Sequence, residues 1–288
     1  RYRAQNGVRA FRRWVIPYLQ SRLYPNQFRP ILSYLFTDWK CNVDCHYCWT
    51  WDNSRKGMTR ETAFAAIDWL KSTGCRVIAI MGGEVLLRKD FLVQVVEYGV
   101  KQGFFMYVPT NGILMDPRFI NDVGKAGAAT INLALDVIDE KPGLPKAYNR
   151  IEENFRYLVD NQERLGYLVF LNMNITGGNL EDIKRLTEIA WENGVSVDYH
   201  VNERPHFEQK HYRPADNDSY ITPDQFEEPD APFDWLCDRP PRVPPLLNTV
   251  TPLHAMKRRI RVAIVEWPCR AAAPSSAVRL AGTTPPYI

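Results

Sequence analysis

The sequence lacks several features that mark specialised classes of protein. No apolar run approaches the roughly 18 residues of a membrane span, and the start of the chain has no uninterrupted apolar core of a signal peptide. Only six cysteines occur in 288 residues, and their clustering is typical of a metal site rather than a disulfide framework. We therefore expect a cytoplasmic protein.

Acidic residues are absent from residues 1–30, which contain seven arginines, while the whole chain carries a net charge of only +3. This basic and aromatic segment has the composition to hold an anionic partner, a leader peptide or a membrane surface. It also fits an amphipathic helix that packs on the body of the protein and keeps its arginines in solvent, which is the interpretation we favour. The rest of the chain has no basic–aromatic stripes, so we expect no nucleic-acid binding.

Six apolar runs rich in β-branched residues alternate with helical patterns at a spacing of roughly 30 residues. The runs are residues 31–37, 75–81, 104–109, 129–135, 167–174 and 195–201. The helical patterns begin at Thr59, at Asp90, near 117, near 148 and at Asn179. Alternation of this kind predicts parallel βαβ units, and continuous apolar strands predict a sheet covered on both faces. The residues are thus typical of an α/β fold, either an incomplete barrel or an open parallel sheet.

Polar residues follow each predicted strand, where both of these architectures place their chemistry. They are the cysteine loop, the GGE motif at 82–84, the TNG motif at 110–112, Asp136, Asn172 with Asn174, and His200 with Asn202. Six coincidences on one rim of a sheet favour a shared site.

The loop CNVDCHYC at 41–48 places three cysteines after the first predicted strand. Thiolates are the ligands of zinc or of an iron–sulfur cluster. Structural zinc is usually closed by four ligands, and electron-carrying cubane clusters also take four cysteines. Three cysteines on one loop would leave one iron of a [4Fe–4S] cluster open, as in a catalytic site.

The loop resembles the C-x3-C-x2-C signature of the radical S-adenosylmethionine (SAM) enzymes. The MGGE motif after the second strand resembles the glycine-rich SAM-binding motif of that family, and TNG after the third strand resembles another recurrent element. The resemblance covers about residues 30–202. It implies a partial (β/α)6 TIM-like barrel with one [4Fe–4S] cluster that binds SAM. Reductive cleavage of SAM would then give a 5′-deoxyadenosyl radical that abstracts a substrate hydrogen, with flavodoxin or ferredoxin as reductant.

The resemblance also implies roles for individual residues. Cys41, Cys45 and Cys48 would ligate three irons, and Tyr47 would pack near the adenine. Gly82 and Gly83 would let the backbone approach the methionyl group of SAM, and Glu84 would accept a hydrogen bond from its ammonium. The further candidates for the ribose or carboxylate are Asn111, Asp136, Arg150 and Asn174.

Two positions depart from the family pattern. Val85 stands where relatives often have proline, and Ala134 stands where many have a serine that reaches the ribose. The ribose contact would then come from another residue, such as Asn132 or Asp136.

The C-terminal region is expected to be irregular, because nine prolines lie between 238 and 288. The segment EWPCRA at 266–271 resembles the start of a SPASM or twitch extension, but Cys237 and Cys269 are too few to hold a second cubane. We expect a degenerate or truncated remnant without a second cluster. The predicted divisions are a basic helical extension at 1–30, the barrel at 31–205 and a loop-rich extension at 206–288.

Other cysteines and histidines have simpler interpretations. Cys75 is expected to be a small buried residue, and His46 a loop residue. A zinc site formed by His200, His206 and His211 is disfavoured, because their spacing spans a strand end and a loop.

Two classes of function therefore remain open. The first is a radical SAM enzyme that acts on a small molecule or a peptide. The second is a non-catalytic zinc or iron–sulfur protein, as a degenerate relative would be. The sequence carries no substrate signature.

Overall fold

The computed structural model describes residues 2–48, 50 and 52–202. They form one six-stranded sheet in which all pairs are parallel and the strand order follows the chain from β1 to β6. The strands are β1 Ser33–Asp38, β2 Val77–Gly82, β3 Phe105–Thr110, β4 Thr130–Ala134, β5 Leu168–Ile175 and β6 Ser196–Val201. Each strand lies on one of the six apolar runs, so the predicted α/β fold is confirmed.

Two helices precede the first strand, and the other helices connect successive strands, as parallel pairing requires. They are α1 Tyr2–Ala10, α2 Ile16–Leu23, α3 Arg60–Ser72, α4 Lys89–Lys101, α5 Pro117–Lys125, α6 Glu152–Asp160, α7 Gln162–Leu165 and α8 Leu180–Glu192. A π-helical turn at Phe11–Val15 joins α1 to α2, and short 3-10 turns occur at Val85–Arg88 and Tyr148–Arg150. None of the described helices has the length and apolar character that a bilayer crossing requires.

Side-chain caps fix the start of two helices. The Thr59 hydroxyl accepts from the Thr62 amide at 3.2 Å, which confirms the predicted cap of α3. The Asp116 carboxylate accepts from the Phe119 amide at 2.8 Å and caps α5. The pattern assigned to begin at Asp90 begins one residue earlier, so Asp90 lies in the first turn of α4.

The prediction of one continuous helix near 148–165 is wrong, because the helix is interrupted. The chain forms a 3-10 turn, then α6, then the short α7. Asn161 ends α6 by donating from its side-chain amide to the Tyr157 carbonyl at 2.8 Å. Gly166, with φ of 78°, ends α7 in a left-handed conformation that glycine adopts at little cost.

The main hydrophobic core lies between the sheet and the helices that follow its strands. Alternate residues of β4, such as Ile131 and Leu133, are fully buried in this core. The residues between them, such as Asn132, therefore face the concave inner side of the sheet. This alternation separates an apolar outer face from an inner face that becomes polar towards β5 and β6.

The N-terminal helices pack across the amino-terminal ends of the strands. Ala10 and Trp14 contact a small cluster built from Val77, Phe105 and Ala129. The ring of Trp14 meets the edge of Phe105 at a centroid distance of 6.3 Å. The segment thus lies at the end of the barrel opposite to the cysteine loop.

The predictions made for residues 203–288 lie outside the described residues. They include the absence of a second cluster at Cys237 and Cys269, and the roles of His206 and His211. The division of the chain at 30 and 205 stays a prediction.

Candidate functional site

The three cysteines lie on the loop that leaves the carboxyl end of β1. Their thiols are free, with Cys45 only 3% exposed and Cys41 and Cys48 partly buried. The Cys48 amide donates to the Cys45 carbonyl at 3.0 Å and forms a tight turn. The His46 amide donates to the Gly143 carbonyl at 3.0 Å, so this turn is tied to the segment that follows β4.

Burial favours the protonated form of the Cys41 and Cys45 thiols when no metal is bound. Burial raises the pKa of Cys45 to about 12, while the ammonium of Lys146 acts in the opposite direction. Burial also raises the pKa of Cys41, against a backbone hydrogen bond from Val43 and the charge of Lys146. Metal binding would therefore have to displace protons, and a nearby cation favours that displacement.

The GGE motif packs directly on the backbone that leads into the cysteine loop. The Gly83 amide donates to the Asp38 carbonyl at 3.0 Å, and the Glu84 amide donates to the Lys40 carbonyl at 2.7 Å. A Cβ atom at Gly82 would lie 2.3 Å from the Asp38 oxygen, and one at Gly83 would lie 2.1 Å from the Lys40 oxygen. The two glycines are thus required by close backbone approach within the protein, a role that sequence reasoning missed.

The Glu84 carboxylate is 2% exposed and accepts three hydrogen bonds from the protein. Its donors are the Leu86 amide at 2.8 Å, the Thr110 hydroxyl at 2.6 Å and the Asn111 amide at 2.8 Å. Burial raises the pKa of Glu84, and these hydrogen bonds oppose the shift. Glu84 therefore joins the ends of β2 and β3, and its predicted contact with a ligand ammonium stays a prediction.

Asn111 of the TNG motif links this network back to the cysteines. Its side-chain amide donates to the side-chain oxygen of Asn42 at 2.8 Å, and Asn42 follows Cys41 directly. Its own side-chain oxygen accepts from the Ile113 amide at 3.0 Å. The motifs at the ends of the first three strands thus form one hydrogen-bonded unit.

A second network holds the other side of the loop. The Tyr47 hydroxyl donates to Asp136 Oδ2 at 2.5 Å and accepts from Lys146 Nζ at 2.8 Å. Asp136 is 1% exposed, and burial raises its pKa against the opposing effects of Lys146 and of the hydrogen bond from Tyr47. Sequence reasoning assigned Tyr47 and Asp136 to the site, but it missed Lys146, which lies in an irregular loop with no pattern to mark it.

Asn174 and Asn179 extend the second network to β5. The backbone amide of Asn174 donates to Asp136 Oδ1 at 3.1 Å. The side-chain amide of Asn179 donates to the carbonyls of Asp136 at 2.8 Å and of Asn174 at 2.9 Å. Asn179 was recognised only as the start of a helix, yet its fully buried side chain holds the ends of β4 and β5 together.

Arg150 is not part of either buried network. It is exposed, and its guanidinium pairs with Glu140 at 3.1 Å. It lines a cleft of about 410 Å³ together with Asn42 and Asp44 from the cysteine loop. The proposed contact between Arg150 and a cofactor stays a prediction.

Besides the hydroxyl of Thr130 at the start of β4, two buried polar side-chain atoms have no hydrogen-bond partner among the described residues. They are the side-chain oxygen of Asn132 and the side-chain nitrogen of Asn174. A buried polar atom left unpaired costs about 1–3 kcal/mol. Both atoms are therefore placed to gain from a polar ligand.

The three loop thiols can be compared with the ligand arrangement that a metal centre requires. Within the described ranges, no group of three or more His, Cys, Asp or Glu side chains surrounds one point where a single ion would sit. A [4Fe–4S] cube makes a different demand, because each thiolate binds a different iron. Three free thiols on one anchored loop fit that demand.

Comparison with known proteins identifies relatives of the barrel region. Residues 40–198 match the family model of the Radical SAM superfamily. The chain is 28% identical over 169 residues to an AdoMet-dependent heme synthase of Methanosarcina barkeri, covering 56% of this chain and 47% of that protein. It is 30% identical over 165 residues to an S-adenosylmethionine-dependent nucleotide dehydratase of Selenomonas ruminantium, covering 54% and 60%. The chain thus spans about half of the length of the curated relatives it matches.

Solved structures with the same fold include two that hold the cofactor. Streptococcus suis SuiB bound to S-adenosylmethionine has a TM-score of 0.54 at 15% identity, covering 68% of this chain and 46% of that one. Native anSMEcpe with bound AdoMet has a TM-score of 0.55 at 17% identity, covering 72% and 60%. At these sequence identities, the two structures show a shared fold and nothing more.

Proposed function

The chain belongs to the radical SAM superfamily, and we propose that it cleaves SAM reductively at a [4Fe–4S] cluster held by Cys41, Cys45 and Cys48. The observation that carries this proposal is the anchoring of the three-thiol loop. Hydrogen bonds tie the loop to the ends of β2 and β3 through Glu84 and Asn111, and to the end of β4 through Tyr47. A loop fixed on three sides supports a preorganised site rather than a flexible metal-binding segment.

When bound, the cluster would supply one electron to the SAM sulfonium, and cleavage of the C5′–S bond would release methionine and a 5′-deoxyadenosyl radical. The chain itself has three tasks around that event. It supplies thiols for three irons, it holds them on a loop whose central cysteine, Cys45, is buried away from water, and it places one cation, Lys146, beside them. Limiting water protects a reactive radical from side reactions.

The SAM molecule is proposed to lie across the carboxyl ends of the strands on the inner face. The unpaired side-chain atoms of Asn132 and Asn174 offer one acceptor and one donor there. Since Ala134 carries no hydroxyl for the ribose, we assign that contact to Asn132 rather than to Asp136. Both Asp136 carboxylate oxygens already accept hydrogen bonds from the protein, which supports this choice.

The substrate is proposed to be a polar small molecule or a peptide that contacts the inner wall formed by β5 and β6. On β6, Tyr199 packs in the outer core, so Asp198 and His200 on either side of it face inward. Asn172 and Asp198 are neighbours in the register of the two strands, as are Asn174 and His200. This polar wall offers donors and acceptors. The peptide alternative is supported by the fold that the chain shares with SuiB, which has been solved bound to the precursor peptide SuiA.

An anaerobic SAM-cleavage assay tests the proposal. The reconstituted chain is reduced with dithionite in the presence of SAM, and 5′-deoxyadenosine is measured by chromatography. We expect product with the wild-type chain and with Cys75→Ala, a buried cysteine outside the loop, and none with Cys45→Ala. A reconstituted wild-type chain that binds iron and sulfide but forms no 5′-deoxyadenosine would contradict the proposal.

A further inference from the structure

The helical segment 2–23 exposes a continuous apolar stripe. Its side chains recur every three or four residues, the spacing that places them on one side of a helix. The exposed fractions are Val8 55%, Phe11 54%, Val15 40%, Leu19 50% and Leu23 72%, flanked by Ile16 at 38% and Tyr18 at 50%. Large apolar side chains that share one exposed face mark an interaction site more strongly than scattered ones do.

A different face of the same segment packs on the barrel. Asn6 is 3% exposed and donates to the Gly166 carbonyl at 3.1 Å, Pro17 is buried, and Ala10 and Trp14 contact the small cluster at the strand ends. The packing of the helix on the protein is therefore complete without the apolar stripe. Among residues 2–202 as described, no side chain covers the stripe, which is therefore available for a partner.

The charge on the segment defines the chemistry of that partner. Residues 1–30 contain seven arginines and no acidic residue. Within the described part of the chain, Arg9, Arg12, Arg13 and Arg22 form no ion pair with a carboxylate, and Arg12 and Arg22 are exposed beside the stripe. Partial burial and then the neighbouring charges of Arg76 and Arg12 lower the pKa of Arg13, so these guanidiniums repel one another. The exposed cations Arg12 and Arg22 beside the stripe favour an anionic partner.

We propose that the segment 2–23 is an interfacial anchor that binds the surface of a membrane containing anionic lipids. The apolar stripe would enter the boundary between headgroups and acyl chains, and the arginines would contact the phosphates. Four of the five stripe residues, Val8, Val15, Leu19 and Leu23, are aliphatic, whereas a nucleic-acid site stacks successive bases on aromatic side chains. This inference does not depend on the proposed chemistry.

Docking in this way would orient the catalytic face. The segment lies at the amino-terminal ends of the strands, next to Val77 and Phe105, the first residues of β2 and β3. The cysteine loop leaves the opposite, carboxyl end of β1. The mouth of the barrel would therefore point away from the bilayer and stay open to a water-borne substrate and reductant.

Vesicle co-sedimentation of the anaerobically reconstituted full chain tests the anchor. The probes are vesicles of phosphatidylcholine alone and of phosphatidylcholine mixed with phosphatidylglycerol. We expect binding to the anionic vesicles that weakens with added salt, and much weaker binding to phosphatidylcholine. Phe11→Glu and Leu19→Glu should each reduce binding about tenfold, and Arg12→Gln and Arg22→Gln about fivefold each on the anionic vesicles. Trp69→Glu is the matched control, because Trp69 is 61% exposed on α3 and outside the stripe.

Several results would overturn the proposal. One is a wild-type chain that binds neither kind of vesicle, which would mean that the stripe is covered, for instance by part of residues 203–288. Another is equal loss of binding in Trp69→Glu and Leu19→Glu. A third is a change from dimer to monomer in Phe11→Glu by light scattering with unchanged vesicle binding, which would make the stripe a self-association surface. Circular dichroism and iron content should be unchanged in every variant, since all the positions are exposed.

Discussion

Replacing Tyr47 by phenylalanine is expected to lower the free energy of unfolding of the metal-free chain by about 3 kcal/mol. The lost hydroxyl donates to Asp136 at 2.5 Å and accepts from Lys146 at 2.8 Å. A hydrogen bond to a charged group contributes about 1.5–3 kcal/mol, and a buried partner left unpaired costs about 1–3 kcal/mol. The combined range is about 2.5–6 kcal/mol. Asp136 is 1% exposed but keeps the hydrogen bond from Asn174, so we place the cost near the lower end of that range.

Tyr98 provides a matched control for this substitution. Its hydroxyl donates to both carboxylate oxygens of Asp68, at 2.8 and 2.9 Å, and Asp68 is exposed. Tyr98→Phe removes the same chemical group from the same type of acceptor, but water can replace it. We expect a cost below about 1 kcal/mol.

Urea unfolding of the reduced, metal-free chain, followed by far-UV circular dichroism, measures both costs. A double-mutant cycle with Lys146→Met should give a coupling of about 1–2 kcal/mol between Tyr47 and Lys146, because they share one hydrogen bond. Equal costs for Tyr47→Phe and Tyr98→Phe, within about 0.5 kcal/mol, would refute the reasoning that the buried network anchors the loop.

Three further predictions concern the same site. The Gly83→Ala variant should bind little iron on reconstitution, because its Cβ would lie 2.1 Å from the Lys40 oxygen. The control variant Gly7→Ala should bind iron normally, because its added Cβ meets nothing within 4 Å. Equal iron contents in the two variants would exclude the backbone role of Gly83. Glu84→Ala should cost about 3 kcal/mol in urea unfolding, because three buried donors lose their acceptor, and a cost below about 1 kcal/mol would contradict this. Alkylation of Cys45 by iodoacetamide in the metal-free chain at pH 8 should be at least about tenfold slower than that of a small free thiol, because a pKa raised to about 12 leaves little reactive thiolate at pH 8. Mass spectrometry of the labelled peptide measures the rate, and equal rates for Cys45 and the free thiol would contradict the prediction.

The strands could be predicted because their signal is local. Runs such as 75–81 are rich in apolar and β-branched residues, which is typical of strands in a parallel sheet covered on both faces. The location of the site could also be predicted, because a parallel sheet brings the carboxyl ends of its strands, and the polar motifs that follow them, to one edge. The cap at Thr59 was predictable for the same reason, since its hydrogen bond reaches only three residues along the chain.

The hydrogen bonds that anchor the loop could not be predicted in this way. Lys146 meets Tyr47 from 99 residues away, and Asp136 meets it from 89 residues away. Such contacts depend on how loops from different strands pack, and a lysine between two irregular turns carries no periodic signal. Glu84 was recognised through its motif. Its hydrogen bonds with Thr110 and Asn111 at the end of β3 could not be predicted, because they depend on how the ends of β2 and β3 pack together.

The most direct test of the account is the iron and sulfide content of the anaerobically reconstituted chain, with and without its three loop cysteines. The wild-type chain and Cys75→Ala should each contain about four irons and about four sulfides, with the visible absorption and reduced-state EPR signal of one cubane. Replacement of Cys41, Cys45 and Cys48 together by alanine should abolish both. Retention of about four irons by the triple variant, or a colourless wild-type chain that holds zinc and no sulfide, would contradict the claim that this loop holds a [4Fe–4S] cluster.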